Sequence, residues 1–368
     1  LKSGSLSLIL NTIFFRNNCL HFMFIFPVFI ASLITFFAIM FLRPFAIRIN
    51  LTDKPGDRKL HVDSVPLVGG IAMYFGITIS LLILPIDLND LKYFFLASFI
   101  LVIVGVFDDH RDISVSLRFL FQALVAIIIV SGAELSISSF GNLLGQGEIL
   151  FYGWAYFISV IAIITGINAV NMADGIHGLA AGNSLITFIA IVFFTFNSLS
   201  PQALWISILF CSVLPVFLIY NLCLGIPSGK RIFMGDAGSM FIGMAIAWLL
   251  IDLSQGDSRA FNPVIALWLF SAPIIDIIFA ISRRMYSGNS PFKADRYHTH
   301  HLLLKLGFKE IEVLIIIMFF SFIMALIGIM GEYYEVAEQA MFFGFIVVFL
   351  VYIFWYRRTI RKIEKNPR

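Results

Sequence analysis

Charge is scarce in this chain. Asp, Glu, Lys and Arg make up 13% of its 368 residues, while 60% are hydrophobic. Soluble domains carry about 25% charged residues, so half the usual polar coat argues against a soluble protein. The net charge of +3 is too small for a nucleic-acid binder, and the basic residues form no single tract. Only three cysteines occur, Cys19, Cys211 and Cys223, with no CxxC spacing, which argues against a disulfide scaffold or a cysteine zinc site. Internal repeats and low-complexity tracts are missing too. Forty-one Phe and eleven Tyr do not suit a disordered, collagen-like or coiled-coil chain. What remains is an all-α, polytopic integral membrane protein.

A bilayer core takes roughly 20 apolar residues per helix. Candidate spans lie at about 22–42, 67–86, 93–107, 117–132, 151–170, 179–197, 202–220, 237–253, 261–282, 311–330 and 341–356, eleven transmembrane helices in all. Loops following odd-numbered spans hold 21 of the 25 Lys and Arg. The positive-inside rule then puts the N-terminus out and the C-terminus in. Residues 1–21 read as an N-terminal extension without functional weight, 22–357 as one transmembrane domain, and 358–368 as a basic cytoplasmic tail. The first apolar run has no small-residue cleavage site and reads as an anchor.

Polar residues collect in loops of the basic side. Asp53–His61 leads to Pro66-Leu67-Val68-Gly69-Gly70, and Asp108-Asp109-His110-Arg111-Asp112 follows the third span. Asn168 to Gly178 reads NAVNMADGIHG, Phe233 to Ser239 reads FMGDAGS, and Asp295 to His301 reads DRYHTHH. Asp108 and Asp112 share a helix face at i, i+4, where unpaired like charges repel. Either a hard cation such as Mg²⁺ relieves that repulsion, or the carboxylates cap the helix and pair with Arg111 and Arg118. Asn168, Asn171 and Asp174 step by three and fall on one side of a helix, if the helix persists. Asp236 stands where an N-cap is expected, and where a helix N-terminus also favours an anion. His298, His300 and His301 have poor spacing for zinc, and Arg296 beside them suits a diphosphate instead. Asp276 lies within the ninth span, either functional or held by a structural partner.

In this order, these motifs resemble the polyprenyl-phosphate N-acetylhexosamine-1-phosphate transferase family, glycosyltransferase family 4 of the membrane enzymes. The likeness runs from about Asp53 to Phe308 and is closest to the branch that moves N-acetylglucosamine-1-phosphate onto undecaprenyl phosphate. It implies attack of undecaprenyl phosphate on the β-phosphorus of a UDP-N-acetylhexosamine, with UMP leaving. It also implies Mg²⁺ or Mn²⁺, a homodimer, and a multi-pass protein of the bacterial inner membrane whose site faces the cytoplasm. By matched position, Asp236 and Asn171 would hold the metal, and Phe233 would stack on uracil. Asp108 and Asp109 would orient or deprotonate the lipid phosphate, with Asp112 closing the same acidic motif, and Asp174 would support the nucleotide site. Asn168, His177, Arg296, His298, His300 and His301 would contact substrate. Lys59 and Arg118 are further candidates for the lipid phosphate, by charge and position. One departure stands out: His177 replaces the second Asp of the usual DGxDG, which bears on the donor. The product would begin an envelope polysaccharide such as O-antigen. A transporter of lipid-linked or anionic solutes is the rival reading, but it predicts midplane charges and internal duplication.

Overall fold

The computed structural model describes residues 3–53, 64–89, 91–196, 198, 200–290 and 297–365. Lys59 and Arg296 lie outside the described residues. Among those described, the only sheet is a two-stranded ribbon in which β1 (Thr52–Asp53) pairs antiparallel with β2 (Val65–Pro66). Apart from loops, the rest is helical. The chain runs through α1 (Ser3–Arg48), α2 (Gly69–Ile83), α3 (Lys92–Arg111), α4 (Val115–Gly132), α5 (Ala155–Ala173), α6 (Leu179–Thr195) and α7 (Pro201–Asn221). It continues through α8 (Gly235–Ser254), α9 (Pro263–Leu269), α10 (Ser271–Tyr286), α11 (Thr299–Lys305), α12 (Glu310–Tyr333) and α13 (Glu338–Lys365).

Every expected span is helical. Eight helices among the described residues are long and apolar enough to cross a membrane, and α9 with α10 makes a ninth, bent span. The expected second and sixth spans are the shorter apolar helices α2 and α6. The segment expected as a basic tail is no separate element, because α13 runs on to Lys365.

The bend in the ninth span is 91° and falls at Phe270, a feature that hydropathy does not register. Its cause is Pro273. A straight helix would need a backbone N–H at that position to donate to Leu269, and proline has none. The freed carbonyl of Leu269 accepts instead from Thr187 Oγ1 at 2.9 Å. Backbone groups at membrane depth need such a partner, since no water supplies one.

The centre of the bundle is α8, whose residues are all buried except Asp236 and Asp252, one near each end. A helix that is apolar all round belongs inside. It packs on α5, α3 and α2. Against α2 the approach is so close that a Cβ on Gly70 would run into the backbone of Gly238. This packing sets the site, since α8 brings Asp236, α3 brings Asp108 and Asp109, and α5 ends at Asp174.

Candidate active site

The sequence suggests Asp236 as the N-cap of its helix. The structure gives Met234 that position and puts Asp236 in the first turn. The capping carboxylate comes from α3 instead: Asp109 accepts the N–H of Asp236 at 2.8 Å and that of Ala237 at 3.4 Å. Exposed donors at a helix N-terminus need an acceptor, and here a second helix supplies it. Asp236 thereby keeps its own side chain for other partners. Its Oδ1 accepts from Asn171 Nδ2 at 2.5 Å, and that amide also donates to Ser239 Oγ at 2.9 Å.

Asp108 is buried. Its Oδ1 accepts the N–H of Ile113 at 3.0 Å, and its Oδ2 accepts from Arg118 Nη1 at 3.1 Å. The same guanidinium nitrogen stands 3.6 Å from Asp236 Oδ2, so Arg118 bridges two carboxylates. Of the two expected ways to relieve Asp108, the structure shows pairing with Arg118. Asp112 ends α3 in a left-handed conformation, φ 48°, and turns out to solvent away from the cluster.

Asp109, Asn171, Asp174, His177, Phe233, Asp236 and His301 all line one cavity of about 540 Å³, together with Asp53, Lys305 and Glu310. Asp174 is reachable from the cavity but ringed by protein. Loss of hydration, and then the negative charge of Asp236, raise its carboxyl from 3.8 to about 7. The rings of His177 and Phe233 face each other at 5.2 Å and form an aromatic wall. Arg231 Nη1 meets His177 Nε2 at 3.0 Å.

Three expected contacts are placed elsewhere. Asn168 is buried a turn below Asn171, where its amide donates to Gln122 Oε1 at 2.7 Å and to the carbonyl of Ile164 at 2.8 Å. A step of three gives a shared face, but depth decides which residue meets the cavity. His298 is buried against Asp276, 2.6 Å from Nδ1 to Oδ2. His300 lines a different cavity, apolar and about 690 Å³, between α5, α6, α10, α11, α12 and α13. Burial, followed by the neighbouring charge of His301, lowers its imidazole from 6.5 to about 3, so it is neutral at physiological pH. Its Nε2 has no hydrogen-bond partner among the described residues and lies over Gly175, where even a methyl group would collide with it. Gly175 lines the polar cavity and His300 the apolar one, so this pair is the partition between them.

Sequence reasoning overlooked Asn221 and Arg231. Asn221 accepts the N–H of Gly178 at 2.6 Å and donates to the carbonyl of Ile232 at 2.9 Å, tying two signature segments together. Its signal was a lone amide closing a long apolar run, a pattern worth a functional question.

Residues 91–254 match the model of glycosyl transferase family 4. Three bacterial proteins named undecaprenyl-phosphate alpha-N-acetylglucosaminyl 1-phosphate transferase are similar over nearly their whole length. The one from Haemophilus influenzae is 38% identical over 352 residues, covering 92% of this chain and 98% of its own. The one from Escherichia coli O157:H7 is 36% identical over 345 residues, covering 91% and 93%. This chain belongs to glycosyl transferase family 4. The Yersinia pestis relative is 36% identical over 323 residues, covering 87% of each chain. The family assignment makes the protein a multi-pass membrane transferase.

Proposed function

We propose that this transferase moves N-acetylglucosamine-1-phosphate from UDP-N-acetylglucosamine to undecaprenyl phosphate. An oxygen of the lipid phosphate attacks the β-phosphorus of the donor, and the bond from that phosphorus to the bridging oxygen breaks. UMP leaves with the bridging oxygen, and undecaprenyl-diphosphate-N-acetylglucosamine is formed. The reading is carried by one observation: a polar, carboxylate-lined cavity and an apolar cavity share the Gly175–His300 wall. A soluble anionic donor suits the first and an isoprenoid acceptor the second. Pro273, Ile316, Phe320, Val348 and Val351 offer the acceptor tail an apolar lining.

The donor set in the polar cavity fits a hard divalent cation. Among the described residues no group of three or more His, Cys, Asp or Glu makes a ready-made cage. Mg²⁺ rarely asks for one, since it is usually held by one or two carboxylates plus substrate phosphates. Asp236 and Asn171 would hold it, with the Asn171 amide turned to present its oxygen. When bound, such an ion offsets the negative charge that gathers as two phosphates meet.

The other residues have work of their own. Arg118 offsets part of the charge of Asp108 and Asp236 and offers a cation to the lipid phosphate. That phosphate, with a second pKa of about 6, is already largely ionised at neutral pH, so a strong base is unnecessary. Asp108, with both oxygens engaged, acts as an orienting group. Phe233 and His177 give the base of the nucleotide a ring wall to stack on. The segregation of Lys and Arg supports a cytoplasmic site in the bacterial inner membrane.

Purified protein, undecaprenyl phosphate and labelled UDP-N-acetylglucosamine, with and without Mg²⁺ and beside Asp236→Ala, test this. Metal-dependent lipid labelling with release of UMP, lost in the variant, is the expected result. Transfer only from another UDP-N-acetylhexosamine keeps the chemistry and reassigns the donor. No transfer by folded protein from any such donor overturns the reading.

A further inference from the structure

Asp276 is a carboxylate inside the bent span that the reaction as described does not use. Both of its oxygens are occupied. Oδ2 accepts from His298 Nδ1 at 2.6 Å, while Oδ1 accepts from Thr299 N at 2.9 Å, Thr299 Oγ1 at 2.6 Å and Tyr352 OH at 3.2 Å. The carboxylate borders the apolar cavity with four donors from α10's neighbours committed to it. Its contacts all serve the start of α11 and its tie to α13.

The hydrogen bond to Asp276 puts the proton of His298 on Nδ1. In the neutral ring that makes Nε2 the acceptor facing Arg284 Nη2 at 3.4 Å. A carboxylate on one ring nitrogen commonly fixes both tautomer and ring orientation of a working histidine. The orientation continues along the helix. The His298 ring lies parallel to that of His300, 5.9 Å apart with 5° between planes, and His300 rests on His301 at 4.2 Å. His300 meets the apolar cavity and His301 the polar one.

We propose that Asp276 is a positioning residue of the transfer, fixing the ring and tautomer of His298 and thereby the stance of His300 and His301 at the wall between the two cavities. The proposal rests on the transferase reading but not on which sugar is moved.

Asp276→Asn separates positioning from mere anchoring. With the amide oxygen kept toward Thr299 and Tyr352, the NH₂ faces His298 Nδ1. That nitrogen must then accept, and its proton moves to Nε2, opposite the Arg284 donor. Three of the four bonds survive while the tautomer inverts. The expected result is a fall in kcat of about 10–100-fold, with the melting temperature and the donor KM near wild type. In a His298→Ala background the same substitution should cost less than about twofold, because the residue acts through that ring. An undiminished effect in that background, or activity lost in step with melting temperature, overturns the proposal.

Selective ¹⁵N-histidine NMR of the full-length protein, with His298 assigned by His298→Gln, gives an arm that needs no activity and no folded Asp276 variant. Wild-type His298 should carry its proton on Nδ1, and an Nε2–H tautomer refutes the assignment. Should the wild-type protein transfer no sugar at all, the function reading fails while this arm still decides the Asp276–His298 relationship.

Discussion

The carboxylate of Asp109 accepts the backbone N–H of Asp236 at 2.8 Å, so one acidic residue holds another through its main chain. Backbone and side chain of Asp236 therefore have separate tasks, and mutations can divide them. Asp236→Ala keeps the N–H and the cap, and should lose transfer with little change in melting temperature. Asp109→Ala removes the acceptor, and should cost about 2 kcal/mol of stability as well as activity. Thermal unfolding in detergent beside a transfer assay checks the contrast.

Arg118 lies 3.1 Å from Asp108 and 3.6 Å from Asp236. Arg118→Met makes the cluster more negative and removes a cation that the lipid phosphate would meet. The expected outcome is a lower Mg²⁺ concentration at half-maximal rate and an acceptor KM raised about tenfold. Initial rates over a grid of metal and acceptor concentrations separate the two effects.

The Asp174 carboxyl is raised from 3.8 to about 7, chiefly by loss of hydration and then by Asp236. Between those values the folded protein keeps a proton that the unfolded chain has released. This group therefore favours folding at low pH, and its contribution fades as pH rises toward 7. Metal-free Asp174→Asn should accordingly gain melting temperature over wild type at pH 8 and not at pH 4. Melting curves in chelator across that range test the sign, and added Mg²⁺ should shrink the difference.

Gly175 has no room for a side chain because His300 Nε2 lies over it. Gly175→Ala should displace that imidazole and lower kcat, by about a hundredfold if the shift approaches 1 Å. A variant at wild-type rate would show that the partition tolerates movement.

Much of this was legible in the sequence. All eleven apolar runs are helical, and among the described residues nine of them are long enough to cross a membrane when the bent pair counts as one. Residues of DDHRD, NMADGIH and FMGD meet at one cavity with His301. What escaped had physical reasons. Asn168 shares a face with Asn171, but its depth depends on Gln122, a residue from another helix. Asp112 left the face of Asp108 because the chain turned left-handed there, a choice made by the connection to α4. Asp109 capping α8 is a contact between positions 127 residues apart, which no local pattern encodes. The kink at Phe270 was half visible, since Pro273 was present, but hydropathy averages over it.

The kinked span also bears on how the chain is put together during insertion. The bend between α9 and α10 is satisfied by an earlier helix, through Thr187 of α6, but its surroundings are completed by a later one. Trp268 Nε1 donates to the carbonyl of Met341 at 3.2 Å, and Tyr356 OH donates to that of Tyr297 at 3.0 Å, both from α13. An irregular backbone stretch cannot face lipid for long. The bend can therefore form before the last helix is delivered, whereas the contacts of Trp268 and of Tyr297, next to the histidine helix, wait for α13. A chain cut before α13 would keep the Asp276 contacts of His298 and Thr299 and lose those that Tyr352 and Tyr356 add from the last helix.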